Sequence, residues 1–188
     1  MYKCCFKRII DFCIAFVALS VLFLPLIIVS LWLRFANRGA GILFFQERPG
    51  KEGKIFRVIK FKTMTDERDT NGNLLPDAQR MTKVGRFVRS TSIDELPQLI
   101  NVFLGQMSLV GPRPLPDREI IEYGDNQEKF LSVKPGMTGW WQVSGRSTIG
   151  YPERCHLELY YVEKCCFTFD VLILLKTIGI VLKRVGAR

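Results

Sequence analysis

Residues 12–33 read FCIAFVALSVLFLPLIIVSLWL and contain no charged side chain. As an α-helix this stretch would extend about 33 Å, which is close to the roughly 30 Å thickness of the hydrocarbon core of a bilayer. Pro25 lies inside the run, where it removes a backbone hydrogen bond and bends a helix. The stretch therefore predicts a membrane helix with a break at Pro25.

Basic residues flank this apolar run on both sides. Lys3, Lys7 and Arg8 precede it, and Arg34 and Arg38 follow it, so the distribution of positive charge does not orient a span. Two topologies stay open at this point, a helix that enters the bilayer and returns to the same face and a kinked helix that spans it. The run is too long for a cleaved signal peptide, and no A-x-A cleavage site follows it.

The chain has 27 Lys and Arg residues against 18 Asp and Glu residues, a formal net charge of +9. Such a charge suits nucleic acid, an anionic membrane surface or phosphorylated small molecules. Many of the basic residues lie beside apolar runs, which favours membrane lipids as partners. A zinc site is not expected, because His156 is the single histidine and none of the six cysteines forms a C-x-x-C pair.

The rest of the chain predicts one small domain. Of the 188 residues, 48% are apolar, which suffices for one core. Two β-type runs at 42–46 and 55–62 flank a turn rich in proline and glycine, so a hairpin is expected. We predict a helix-dominated α+β fold, with a membrane helix in residues 1–38 continuous with a domain over 39–188. Helical patterns occupy 93–104, 117–131, 152–164 and 169–185.

The segment RSTSIDELPQLINV at 89–102 places two adjacent carboxylates where a helix is expected to begin. Ser92 and Glu95 have the spacing of a capping box, so helix capping is one interpretation of the acidic pair. The second interpretation is chemical. A carboxylate at Asp94, beside Arg89 and a helix N-terminus, stays ionised and can attack phosphorus or bind Mg²⁺.

Two further segments carry groups suited to phosphate. Pro112 and Pro114 restrict the backbone around Arg113, whose planar guanidinium can grip two phosphate oxygens; a proline-rich turn with an exposed arginine is the alternative. The segment KPGMTGWWQVSGR at 134–146 ends at Arg146, and its glycines allow backbone amides to approach a phosphate. No Walker-type loop or G-x-G-x-x-G occurs, so nucleotide recognition needs another scaffold.

Taken together, these segments resemble the monotopic phosphoglycosyl transferases of the bacterial sugar transferase family. The resemblance extends over nearly the whole chain, and several long motifs occur in the same order as in the family. The segments that carry it are 7–11, 46–50, 60–64, 89–99, 107–114 and 134–146.

The resemblance implies transfer of a phosphosugar from a UDP-sugar to a polyprenyl phosphate, with release of UMP. Asp94 matches the family's nucleophile, which forms a phosphosugar-enzyme intermediate, and Glu95 matches the second acid of the family's pair. Mg²⁺ beside Asp94 would neutralise phosphate charge. The positions that match phosphate-contacting or substrate-binding residues of the family are Lys62, Arg89, Pro112, Arg113 and Arg146.

The resemblance also implies a re-entrant membrane helix, broken at Pro25, and an active site on the cytosolic face of the bacterial inner membrane. Partners would be membrane lipids and downstream glycosyltransferases, with no nucleic acid. Relatives often carry Ser-Pro at the break, whereas this chain has Leu24-Pro25; Ser20 takes over the serine's task only if its hydroxyl reaches the break. A catalytically silent membrane adaptor is the alternative function.

Overall fold

The computed structural model describes residues 2–145 and 149–183 and confirms a helix-dominated α+β fold with one long apolar N-terminal helix and two small sheets. Single helical turns lie at Lys51–Gly53 and Ile93–Glu95. In chain order the elements are α1 (Lys7–Ala36), β1 (Leu43–Pro49), β2 (Ile55–Phe61), α2 (Asp77–Arg80), α3 (Lys83–Ser90), α4 (Gln98–Phe103), β3 (Ser108–Val110), α5 (Asp117–Ile120), α6 (Gln127–Leu131), β4 (Gly136–Thr138), α7 (Trp140–Ser144), α8 (Tyr151–Lys164) and α9 (Phe167–Lys183).

Helix α1 is long and apolar enough to cross a membrane, and it exposes large side chains such as Phe23 and Leu24 along its middle. It stays helical through Pro25, whose missing N–H leaves the carbonyl of Val21 without its usual donor. The Ser20 hydroxyl donates instead to the Phe16 carbonyl, at 2.9 Å. Ser20 therefore does not satisfy the carbonyl that Pro25 leaves without a donor.

The N-terminal end of α1 is fixed to the domain by polar contacts. The Arg8 guanidinium donates to the carbonyls of Val102 and Phe103, at 2.7 and 2.8 Å, at the C-terminal end of α4. The buried Asp11 carboxylate accepts a hydrogen bond of 2.7 Å from the Ser108 hydroxyl. This end of the helix is consequently anchored to both α4 and β3.

The C-terminal end of α1 contacts the same domain. The side-chain amide of Asn37 donates to the carbonyl of Lys62, at 2.6 Å, directly after β2. Leu33 is fully buried in a cluster with Phe61 and Val88. Both ends of the membrane helix are thus held by one compact unit.

The predicted hairpin is confirmed. Strands β1 and β2 pair antiparallel from Leu43 opposite Phe61 to Pro49 opposite Ile55, so β1 extends three residues beyond the predicted end at 46. The buried side chain of Asn101 accepts from the Ile59 N–H and donates to the Arg57 carbonyl, at 3.0 and 2.7 Å. Asn101 thereby joins α4 to the hairpin.

The second sheet, formed by β3 and β4 in parallel, was not predicted from sequence. Its close approach depends on glycine, because a Cβ atom built on Gly136 would lie 2.1 Å from the backbone nitrogen of Gly111. The Gly136 N–H also donates to the Pro112 carbonyl, at 2.8 Å. This contact fixes the backbone immediately before Arg113.

The helix predictions at 152–164 and 169–185 are confirmed by α8 and by the described part of α9. The prediction at 117–131 is only partly right, because Gly124, at φ +52°, interrupts it. The prediction at 93–104 is also partly right: a single 3-10 turn, Ile93–Glu95, precedes α4. Helix α3 was missed.

Candidate active site

The carboxylate of Asp94 lies in the 3-10 turn between α3 and α4, after Ser92, which adopts a left-handed backbone conformation (φ +58°). The capping-box interpretation is wrong, because the Ser92 side chain makes no cap hydrogen bond. Asp94 is only 9% exposed, yet it lines a cleft of about 540 Å³. Within residues 2–145 and 149–183 no other side chain donates a hydrogen bond to its carboxylate, which has only a backbone hydrogen bond.

The surroundings of Asp94 raise the pKa of its carboxyl group. Burial, followed by the negative charge of Glu95, raises the pKa of Asp94 to about 6, while the positive charges of Lys60 and Arg89 act in the opposite direction. With a pKa of about 6 the ionised form still exceeds the protonated form about tenfold at pH 7. Asp94 is therefore a largely ionised carboxylate that is poorly solvated in the folded protein.

The neighbouring Glu95 has a different environment. Its Oε1 atom accepts from the Lys60 ammonium at 2.8 Å and from the Arg113 guanidinium at 3.1 Å. Burial acts to raise the pKa of Glu95, but the charges of Arg113 and Lys60 outweigh it and lower that pKa to about 2. Glu95 is therefore permanently ionised and holds two cations at the edge of the cleft.

Arg113 is also held through its backbone. Its N–H donates to the Oε1 atom of Glu158, at 3.1 Å, and Glu158 is fully buried on α8. Burial raises the pKa of Glu158 to about 7, against the hydrogen bond from Arg113 and the positive charge of Arg154. The preceding Pro112 is buried and does not line the cleft. Pro112 thus contributes by fixing the direction of Arg113.

The structure brings most of the predicted site residues together. Lys62 and Arg89 line the same cleft as Asp94, Glu95 and Arg113. Lys62 also pairs with Asp66, at 2.5 Å. Arg146 lies outside the described residues, and Pro25 lies inside α1, which is helical on both sides of it.

Sequence reasoning missed several residues at the site, of which Lys60 contacts Glu95 and Glu158 contacts Arg113. Lys60 precedes Lys62 by two positions, and on a strand that spacing places both side chains on one face. Glu158 precedes the buried Tyr161 and Val162 by three and four positions, so it lies on the buried face of α8. These two periodicities were the available signals.

The donor groups fit a divalent cation that is shared with a substrate. Asp94 offers a carboxylate that no other described side chain engages, and Asp66 and Asp77 also line the cleft. Among the described residues there is no group of three or more His, Cys, Asp or Glu side chains placed to hold a metal by themselves. Mg²⁺ is commonly held by one or two carboxylates together with substrate phosphates, and this arrangement suits that mode of binding.

The cleft combines one available carboxylate with a cationic wall. Such a wall attracts and orients a diphosphate, and the carboxylate can then act as a nucleophile toward phosphorus. The cations that line the cleft are Lys60, Lys62, Arg80, Arg89 and Arg113.

Comparison with known proteins confirms the family. The sequence profile of the bacterial sugar transferases matches residues 2–184. The uncharacterized sugar transferase EpsL of Bacillus subtilis is 45% identical over 183 residues, which cover 97% of this chain and 82% of that protein.

Two relatives with named activities are longer than this chain. The undecaprenyl-phosphate galactose phosphotransferase of Salmonella typhimurium is 39% identical over 198 residues (96% of this chain, 41% of that protein). The UDP-N-acetylgalactosamine-undecaprenyl-phosphate N-acetylgalactosaminephosphotransferase of Aeromonas hydrophila is 36% identical over 191 residues (97% and 45%). The chain thus spans less than half of these two relatives, whereas the family profile matches residues 2–184 of its 188 residues. It belongs to the bacterial sugar transferase family.

Proposed function

We propose that this protein is a phosphoglycosyl transferase that moves a phosphosugar from a UDP-sugar to a polyprenyl phosphate, undecaprenyl phosphate being the carrier in bacterial relatives. The observation that carries the proposal is the pairing of an available carboxylate at Asp94 with cations fixed by Glu95. The product, a polyprenyl diphosphate sugar, would pass to glycosyltransferases that extend the glycan.

In the first step a carboxylate oxygen of Asp94 attacks the phosphorus that bears the sugar. A phosphorus–oxygen bond to Asp94 forms, and the bond between that phosphorus and the oxygen bridging the two phosphates breaks. The bridging oxygen leaves with its electron pair as part of UMP. Asp94 suits this role because it is ionised at neutral pH and poorly solvated where it lies.

In the second step a phosphate oxygen of the polyprenyl phosphate attacks the phosphorus of the phosphosugar-enzyme intermediate. The new diphosphate bond forms as the phosphorus–oxygen bond to Asp94 breaks, and the carboxylate is regenerated. Arg113 and Lys60 lie where they would stabilise charge on the phosphate oxygens, while Glu95 keeps both in place. Lys62, Arg89 and Arg146 are proposed as further phosphate contacts.

Mg²⁺ held by Asp94 and the substrate phosphates would neutralise phosphate charge during transfer. The protein's own contribution is the orientation of the diphosphate by Arg113 and Lys60 and the supply of the attacking oxygen by Asp94. Removing the cation with a chelator is expected to stop turnover.

The docking of α1 supports a re-entrant topology. Both ends of this helix contact the same domain through Arg8 and Asn37, which suits a helix that enters and leaves the bilayer on one face, with the apolar side chains around Pro25 in the lipid. We place that face in the cytosol of the bacterial cell, beneath the inner membrane.

Topology can be measured with a thiol reagent that does not cross membranes. Two variants each carry one cysteine, the exposed native Cys5 before α1 or a cysteine replacing the exposed Arg38 after it. Re-entry makes both positions reactive only from the cytosolic side. Reaction of the two positions from opposite sides would establish a spanning helix instead.

The nucleophile is tested with the first half-reaction. Purified protein, Mg²⁺ and a panel of UDP-sugars should release UMP without acceptor, and mass spectrometry should detect a phosphosugar adduct on Asp94. Asp94→Asn should abolish both signals, whereas Asp117→Asn, an exposed position on α5, should retain them. Full UMP release by Asp94→Asn would exclude this nucleophile, and silence of the native protein across the panel would favour a membrane adaptor.

A further inference from the structure

A second cavity, of about 370 Å³, lies at the base of the membrane helix and shares no lining residue with the catalytic cleft. Its walls come from the residues before and at the start of α1, from the helical turn after β1, from β3, from the segment after α6 and from the end of α8. It is unusually rich in positive charge. The cations that line it are Lys3, Lys7, Arg8, Lys51 and Lys134.

Only part of this charge is neutralised inside the protein. Lys7 pairs with Asp170 and Lys51 pairs with Glu52. Asp11 is the single acid that lines the cavity itself. The five cations therefore exceed these three carboxylates by two, which suits a ligand with one negative charge or two.

Two of the cations are held by neutral groups, so their charges remain available to a ligand. The Lys3 ammonium donates to the Val162 carbonyl, at 2.8 Å, and the Arg8 guanidinium donates to the carbonyls that end α4. A cation bound to carbonyl oxygens keeps its full charge. The rim of the cavity is thus rigid and positive.

Lys134 differs from the other four cations that line the cavity. Among the described residues no side chain or carbonyl accepts a hydrogen bond from its ammonium, although the side chain is half-buried. Burial, and then the positive charge of Arg8, lowers the pKa of Lys134. An anion placed between these cations would relieve both effects.

The surface beside the cavity is apolar. Phe6 and Ile9 at the start of α1, and Phe167 at the start of α9, are each more than half exposed. Side chains of this kind belong against acyl chains, and a basic pocket next to them is the arrangement that binds anionic headgroups at a membrane surface. The neighbouring surface distinguishes a lipid from a free anion.

We propose that this cavity binds the phosphodiester headgroup of an anionic phospholipid, with Lys134, Lys51 and Arg8 around the phosphate and the acyl chains along α1 and α9. A headgroup of this kind carries one negative charge per phosphate. A volume of about 370 Å³ accommodates a phosphate together with a glycerol unit, as in small-ligand pockets. The bound lipid anchors the entry of the membrane helix at the domain surface.

The test uses the full chain in detergent micelles. Native mass spectrometry compares retention of phosphatidylglycerol with that of phosphatidylcholine of the same acyl chains. We expect one retained phosphatidylglycerol and at least tenfold less phosphatidylcholine, since an unneutralised pair of cations discriminates against a zwitterion. Equal retention of the two lipids would overturn the proposal.

Matched variants locate the bound lipid. Lys51→Gln/Lys134→Gln should retain at least tenfold less phosphatidylglycerol, because two cations near the phosphate are lost. Lys54→Gln/Lys129→Gln makes the same change of charge at exposed positions outside the cavity and should retain the lipid as the native chain does. Native-like retention by the first variant would overturn the proposal.

Two further measurements test whether the variant is misfolded and whether the cavity binds free phosphate in place of the lipid. Lys134→Arg keeps the charge and should retain the lipid, which separates a specific loss from unfolding, and its failure to bind while UMP release is normal would contradict the assignment. Inorganic phosphate in tenfold molar excess over the lipid should leave the lipid in place. Displacement of the lipid by inorganic phosphate would assign the cavity to free phosphate and exclude the lipid.

Discussion

The two cationic cavities of this protein differ in how their charges are engaged. In the catalytic cleft, Glu95 holds Lys60 and Arg113, while the carboxylate of Asp94 stays available. In the cavity at the base of α1, Lys134 stays available. The first site therefore presents the proposed nucleophile within a positive field, and the second presents only a positive field.

Positive charge alone therefore does not distinguish a transferase site from another anion-binding cavity. Both cavities attract phosphate, and the segment from β3 through Gly111 to Arg113 runs from one to the other. Attack on phosphorus requires an ionised carboxylate that no other side chain engages, and among the described residues of the two cavities Asp94 fits this requirement, whereas Asp11 accepts a hydrogen bond from Ser108.

The largest effect is expected from removal of the guanidinium in the cleft. Arg113→Gln should lower kcat/KM about 10²–10³-fold, the usual loss when a preorganised charge-stabilising donor is removed. Lys134→Gln removes a cation from the other cavity and should change UMP release less than about twofold. Steady-state UMP release measures both, and equal losses would end the functional distinction between the cavities.

The second prediction concerns pH. Because Asp94 attacks in its ionised form and its pKa is about 6, UMP release in the first half-reaction should fall about tenfold for each pH unit below that value. Glu95→Gln should shift this acid limb to lower pH. It removes the negative charge that raises the pKa of Asp94, and it leaves Lys60 and Arg113 without their partner.

The expected shift of the acid limb in Glu95→Gln is toward lower pH. Rates of UMP release are measured from pH 4.5 to 8 for the native chain, for Glu95→Gln and for Glu128→Gln, which changes an exposed acid on α6. Glu128→Gln should retain the native limb. A limb that stays in place or moves to higher pH in Glu95→Gln would show that another group controls the rate.

The third prediction tests Glu158 as a positioning residue for Arg113. Glu158→Gln retains an oxygen that accepts the Arg113 N–H and should stay within about threefold of native kcat. Glu158→Leu removes the acceptor and should lower kcat about tenfold, the equivalent of one lost hydrogen bond to a positioned group. Similar kcat values for the two variants would assign Glu158 a role in folding only.

Sequence alone predicted the parts of this site that depend on local patterns. The uncharged run at 12–33, the turn between the strands and the periodicity of α8 and α9 are local signals, and the structure agrees with them. Asp94, Glu95 and Arg113 came from short motifs, and the structure places them in one cleft.

The missing parts depend on contacts between distant segments. Glu95 has the spacing of a capping box, but its partners are Lys60, 35 residues away, and Arg113. The parallel pairing of β3 with β4 depends on a glycine at 136 that approaches one at 111. Neither contact leaves a periodic trace in the sequence, because each involves single residues far apart in the chain.

The smallest predicted effect is on stability, and its sign follows from the raised pKa of Asp94. An acid whose pKa rises from 3.8 to about 6 on folding destabilises the folded state as pH increases from 4 through 6, and the full cost is present above that range. A neutral Asn removes this cost, which is on the order of 2 kcal/mol.

Asp94→Asn should therefore raise the Tm at pH 7.5 by about 5 °C, with a much smaller gain at pH 4.5, where the native side chain is protonated. Tryptophan fluorescence during heating in detergent measures both values. If Asp94→Asn is inactive and gains stability only at pH 7.5, the ionised Asp94 carboxylate destabilises the folded protein and is needed for the reaction. Equal gains at both pH values would attribute the change in stability to packing.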